Sequence, residues 1–161
     1  MPILPVVFIK NLTFPAAPVL LVPIPKSLFD LINNNVLEQR QTFFIHGGVD
    51  AEDRERVREI TEKENNAIIV ASYGTFSTGV NIRNLHNVIF ASPSKSRIRN
   101  LQSIGRVLRK GTNKVKATLY DIADDATYKS RRNYTLNHLI ERLKIYNYEK
   151  FNYDIINISF K

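Results

Sequence analysis

Arginine, glutamine and glycine recur at fixed spacing between Lys95 and Lys110, in the stretch KSRIRNLQSIGRVLRK. At roughly 100° per residue, Arg99, Gln102, Arg106 and Arg109 fall within roughly 80° of one another on a helix, with Ile98, Leu101, Ile104, Gly105 and Leu108 on the adjoining side. One helix thus carries a packing stripe beside a cationic stripe. No Asp or Glu occurs from Ala91 to Tyr120, so Lys95, Arg97, Arg99, Arg106, Arg109, Lys110, Lys114 and Lys116 have no acidic neighbour in sequence. A planar guanidinium offered no local carboxylate is well suited to phosphate. Gly105 in mid-helix costs roughly 1 kcal/mol relative to alanine, which implies something packed too close for a Cβ. The competing reading is a surface helix with solvated arginines.

The elements that must position this helix alternate regularly from Lys26 onward. SLFDLINNN reads as a short helix ended by its Asn run, and TFFIH as an apolar strand closed by Gly47-Gly48. Asp50 is an N-cap with Asp53 three residues on, opening a mainly polar helix to about Lys63. AIIVAS and NVIFAS are continuous apolar runs of the kind buried on both faces of a parallel sheet, and KATLYDIAD gives a further strand. A long helix is expected from about Tyr128 to Lys150, with Leu136, Leu139, Ile140, Leu143 and Tyr146 at helical spacing, and FNYDIINISF as a last short strand or tail. Such alternation implies an α/β layer fold with a mostly parallel sheet, whose ligands bind beyond the carboxyl ends of the strands. Gly47-Gly48, Tyr73 to Gly79 and Ser92 to Lys95 all follow strands and should share that edge.

Met1 to Pro25 stands apart. It is apolar, carries one charge at Lys10 and holds six of the chain's seven prolines, which fits neither a secretory signal nor a spanning helix. PVVFIK and PVLLVPI read instead as short strands or extended segments. We therefore divide the chain into an atypical segment, 1–25, and an α/β domain, 26–161.

A length of 161 residues, 43% hydrophobic and 24% charged, is that of one ordinary globular domain. The formal charge of +8 suggests an anionic partner, nucleic acid ahead of membrane, because the basic residues cluster beside Gln102. Zero cysteines exclude a disulfide framework or thiolate metal site, and His46, His86 and His138 show no ligand spacing.

Gln102, Gly105, Arg106 and Arg109 form the pattern QxxGRxxR, which resembles motif VI of the superfamily 2 helicases. ASYGTFSTGVNIRNLHNVIF, Ala71 to Phe90, resembles motif V, and FFIHGGVDAEDRERV, Phe43 to Val57, resembles the strand, glycine turn and Arg-bearing helix between motifs IV and V. The three segments come in the family's order, and the likeness covers roughly Ser27 to Lys161. It implies a RecA-like (P-loop NTPase-type) domain with helices on both faces of the sheet, the second of the two in a helicase motor. PVLLVPI falls where the family has its motif IV strand, although its flanking prolines are atypical.

By the same resemblance, Arg109 is an arginine finger and Arg106 its companion, stabilising the charge that phosphoryl transfer spreads over the γ-phosphate. Gln102, Gly105, Gly79 and Asn81 would face the nucleotide, although many relatives have Asp where this chain has Asn81. Gly47, Thr75, Ser77, Lys95, Arg97 and Arg99 would touch the nucleic-acid backbone, contacts that position without reading sequence. Arg54 matches a recurrent arginine of the family without an assigned role. No GxxxxGK[ST] and no DExH-like box occurs in the chain. ATP with Mg²⁺ would therefore be held mainly by an N-terminal RecA-like half, separate or truncated, and the isolated chain is expected to be inactive. The implied partners are DNA and that half, with no membrane, in the cytoplasm of a bacterial host if the chain is phage-encoded. Two alternatives stay open: a non-catalytic nucleic-acid-binding module derived from a helicase, and an unrelated α/β nucleotide-binding domain with a chance QxxGRxxR.

Overall fold

The computed structural model describes residues 3–9, 18–22, 26–35, 40–64, 66–75, 82–91, 96, 101, 104–105 and 117–159. Within them lie seven strands and three long helices: β1 (Ile3–Ile9), β2 (Pro18–Val22), α1 (Lys26–Asn35), β3 (Thr42–Ile45), α2 (Ala51–Lys63), β4 (Ile68–Ser72), β5 (Asn87–Phe90), β6 (Thr118–Ile122), α3 (Tyr134–Tyr148) and β7 (Tyr153–Ser159). The strands form one sheet in the order β3-β4-β2-β5-β6-β1-β7. The five from β3 to β6 pair in parallel, and β1 is antiparallel to both β6 and β7. The mostly parallel sheet expected from the alternation is present.

Both apolar stretches of the segment 1–25 are strands of this sheet, and β2 is an interior strand, paired in parallel with β4 and β5. The two described prolines of this segment, Pro5 and Pro18, sit where a missing N–H costs least. Pro18 is the first residue of β2, and Pro5 precedes the β6 register, which begins at Val6↔Ile122. Pro5 therefore pairs only on the β7 side, opposite Asn157.

β4 shows why its sequence is a continuous apolar run. Ile69 and Ala71 join the main core with Phe90, Leu119, Leu139 and Tyr146, while Ile68 and Val70 face the other way, against Leu28, Phe29 and Ile32 of α1. Successive strand residues point to opposite faces, so a strand covered on both sides must be apolar throughout. Helix α1 covers one face, while Val57 of α2 and much of α3 cover the other.

Asp50 caps α2 as expected, its Oδ1 accepting from the Asp53 N–H at 2.8 Å. Helix α3 differs from expectation at its start, which is Tyr134 rather than Tyr128. Tyr128 and Arg131 exchange two backbone hydrogen bonds across a tight turn in which Lys129 has φ 55°, and this turn uses the groups a helix would need. At the other end the Lys150 N–H donates to Asn147 O at 3.2 Å and the Phe151 N–H to Tyr146 O at 2.9 Å. With Lys150 at φ 57° and Phe151 packed near Tyr146, this is a Schellman cap that turns the chain into β7. The FNYDIINISF tail is thus a full strand, paired with β1 from Ile3↔Ser159 to Ile9↔Tyr153.

Candidate nucleotide and nucleic-acid interface

Because β3, β4 and β5 run the same way, the segments that follow them leave one edge of the sheet. The first is the turn His46 to Asp50. Val49 N–H donates to His46 O at 3.1 Å, and Gly48 N–H donates to the Nδ1 of His46 at 3.0 Å. A Cβ on Gly48 would lie 3.0 Å from the His46 ring, whereas one on Gly47 would meet nothing within 4 Å. Neither glycine has positive φ. Gly48 is small because His46 leans on it; nothing in the fold explains Gly47.

The second segment begins with a helical turn at Tyr73 to Thr75. Thr75 is buried, its hydroxyl 2.8 Å from the Ser72 Oγ, and the backbone of the turn is open to solvent at Gly74, above which nothing lies within 4 Å. Sequence reasoning singled out Thr75 and gave Gly74 no separate role, because the sequence does not say which residue of a capped turn faces out. Gly79, Asn81 and Ser77 lie outside the described residues.

Of the QxxGRxxR helix, Leu101, Ile104 and Gly105 are described; Gln102, Arg106, Arg109, Lys95, Arg97 and Arg99 lie outside the described residues. Ile104 is buried and Leu101 half-buried against the main core, as the packing stripe requires. Gly105 differs from expectation. It is exposed, and among the described residues nothing approaches within 4 Å of where its Cβ would be. One residue beyond Ile104 turns it roughly 100° away from the core, so the notch faces outward.

Beneath this edge lies a buried charged group that sequence reasoning missed. Arg142 of α3 donates to Asp121 of β6 through Nε and Nη2, both at 2.6 Å, and the Tyr146 hydroxyl donates to the same carboxylate at 2.7 Å. Arg142 and Asp121 are 1% and 0% exposed, so this bidentate pair is fully desolvated. Burial lowers the Arg142 pKa, but the hydrogen bonds and charge of Asp121 outweigh it, leaving the guanidinium more basic than usual. Tyr73, whose ring packs 5.5 Å from Phe90, is pushed well up by burial and then by the Asp121 charge, and Tyr146 likewise. Their signal was a single Asp within an apolar strand and an Arg on the apolar side of a helix.

The three histidines do separate structural work. His46 holds the Gly48 amide, His86 Nε2 lies 3.1 Å from Asn84 Oδ1, and His138 is buried against Tyr134 with ring centroids 4.0 Å apart. Among the described residues no three His, Asp or Glu are grouped to hold a metal, and no helix is long and apolar enough to cross a membrane.

The model of the helicase conserved C-terminal domain family matches residues 23–111, more than half of the chain. The chain belongs to this family. The match begins at residue 23, directly after β2, and takes in the Gly47 turn, the motif V segment and the QxxGRxxR helix. The ATP-dependent DNA helicase uvsW of Enterobacteria phage T4 is 44% identical over 138 residues, 80% of this chain and 27% of that protein. This helicase domain thus spans about a quarter of that relative's length. The crystal structure of T4 UvsW superposes with a TM-score of 0.67 at 38% identity, covering 86% of this chain and 30% of that one. Domain 2 of the DEAD-box helicase Mss116p, bound to an RNA duplex, gives a TM-score of 0.56 at 18% identity over 67% of this chain and 42% of that one, a likeness of fold alone. The fold is therefore the RecA-like fold of helicase C-terminal domains.

Proposed function

We propose that this domain is the C-terminal motor lobe of an ATP-dependent superfamily 2 DNA helicase that unwinds or remodels branched or duplex DNA. The single observation that carries the reading is the family match at 23–111, because it runs from directly after β2 through the complete QxxGRxxR pattern. The outward notch at Gly105 supports it. That glycine answers to no packing within the described chain, as expected of a helix that faces a ligand or a second lobe.

In this reading Arg109 and Arg106 stabilise the charge on the γ-phosphate in the transition state, with Gln102, Gly105, Gly79 and Asn81 on the nucleotide side. Gly47, Thr75, Ser77, Lys95, Arg97 and Arg99 line the path of the DNA backbone. The chain does not fit the remaining requirements. It has no GxxxxGK[ST], and its described residues offer no carboxylate cluster for Mg²⁺. ATP with Mg²⁺ is held by an N-terminal RecA-like half, and this domain supplies the arginines.

The test mixes the domain with a cognate N-terminal half and DNA and measures ATP turnover. Arg109→Ala should lower the rate by about 10³-fold, the lower end of what such an arginine contributes. Equal rates with and without Arg109 would overturn the assignment. DNA binding without any turnover in the mixture would favour a non-catalytic binding module.

A further inference from the structure

We infer that Arg54 is a positioning residue: it holds the Gly47 turn in the shape on which a DNA strand rests, without touching the DNA. This rests on the nucleic-acid reading of Gly47 given above. Arg54 lies on the first turns of α2 and reaches back to the preceding turn. Its Nε donates to Val49 O at 2.8 Å, and its Nη2 donates to Val49 O at 2.5 Å and to Gly47 O at 3.3 Å. The fork thus bridges two carbonyls two residues apart, something a lysine ammonium with one point of attachment cannot reproduce. Among the described residues the guanidinium bonds only these main-chain carbonyls, so its charge remains on the turn without a carboxylate partner.

The rest of the turn is fastened from the other side, Gly48 N–H by the His46 ring and Val49 N–H by His46 O. With both carbonyls and both of these amides committed, the turn is rigid before any ligand arrives, which lowers the entropy cost of binding. Gly47 is the point of approach. Its φ is not positive and a Cβ there would meet nothing within 4 Å, so neither backbone strain nor internal packing requires glycine. What the missing side chain leaves room for lies outside the fold. Asp50, Glu52 and Asp53 line the start of α2 and repel phosphate there, which confines the strand to the Gly47 side.

The experiment measures binding of a fluorescent single-stranded oligonucleotide to the whole chain by anisotropy across a salt series. Variants are Arg54→Lys, Arg54→Gln and Gly47→Ala, with amide exchange at Gly48 and Val49 followed by NMR. Arg54→Lys and Arg54→Gln should weaken binding alike, by about tenfold, the equivalent of one well-placed hydrogen bond to a charged group. The slope of log affinity against log salt should stay as in the parent, and the Val49 amide should exchange faster. Gly47→Ala should weaken binding with the melting temperature unchanged. Full binding by Arg54→Lys, or a slope reduced by about one in Arg54→Gln, would mean that Arg54 itself contacts phosphate and would overturn the inference. Wild-type binding by Gly47→Ala would overturn the approach point. If the parent chain binds no DNA, the nucleic-acid reading fails and the inference falls with it, whereas faster Val49 exchange alone would show only that the turn depends on Arg54.

Discussion

Replacing Arg142 by methionine should be the most damaging single change to this fold that leaves its shape intact. Methionine keeps most of the volume of the aliphatic stem but removes both 2.6 Å bonds to Asp121, leaving a carboxylate at 0% exposure with the Tyr146 hydroxyl as its remaining strong donor. Removing one member of a buried pair costs about 3–5 kcal/mol, because the survivor must stay charged without a counter-ion or take up a proton. A domain of this size has about 5–15 kcal/mol in total. At about 2–4 °C per kcal/mol, the melting temperature should fall by about 6–20 °C, read by circular dichroism. Asp121→Leu combined with Arg142→Met removes both charges, and should recover most of the loss. A loss below about 1 kcal/mol in the single variant would refute the reasoning, since such a value belongs to a solvent-screened pair. A double variant no better than the single would show that packing, not charge, was lost.

Two further outcomes follow from the same geometry. Tyr73 and Tyr146 keep their protons to higher pH in the fold than in the unfolded chain, where tyrosine ionises near pH 10. Their contribution is therefore complete below about pH 10 and lost as pH rises through the raised folded values, so urea stability should fall from pH 10 upward. Tyr73→Phe should flatten that fall, and a slope equal to the parent's would contradict it. Asp50→Ala removes the α2 cap and should cost about 1 kcal/mol by urea titration at neutral pH; no change would mean that the bond to the Asp53 amide contributes nothing.

The sequence by itself determined what is local. The apolar run of β4, the Asp50 cap, the glycine turn and the QxxGRxxR spacing all depend on residues within a few positions of one another, where period and capping chemistry leave little choice. Its three ordered segments also sufficed to indicate the family. Tertiary structure decided what depends on distant partners. Asp121 reads as an ordinary acidic residue until Arg142, 21 residues on, folds over it. The proline-rich start and the stretch FNYDIINISF were ambiguous separately, and each contributes a strand because Ile3–Ile9 and Tyr153–Ser159 satisfy one another's backbone. The start of α3 was set by the turn at Tyr128 to Arg131, whose two backbone bonds no helical periodicity could reveal. Spacing put Gly105 on the packing side of its helix with Ile104, yet in the fold Ile104 is buried while Gly105 is exposed, with nothing among the described residues within 4 Å of where its Cβ would be.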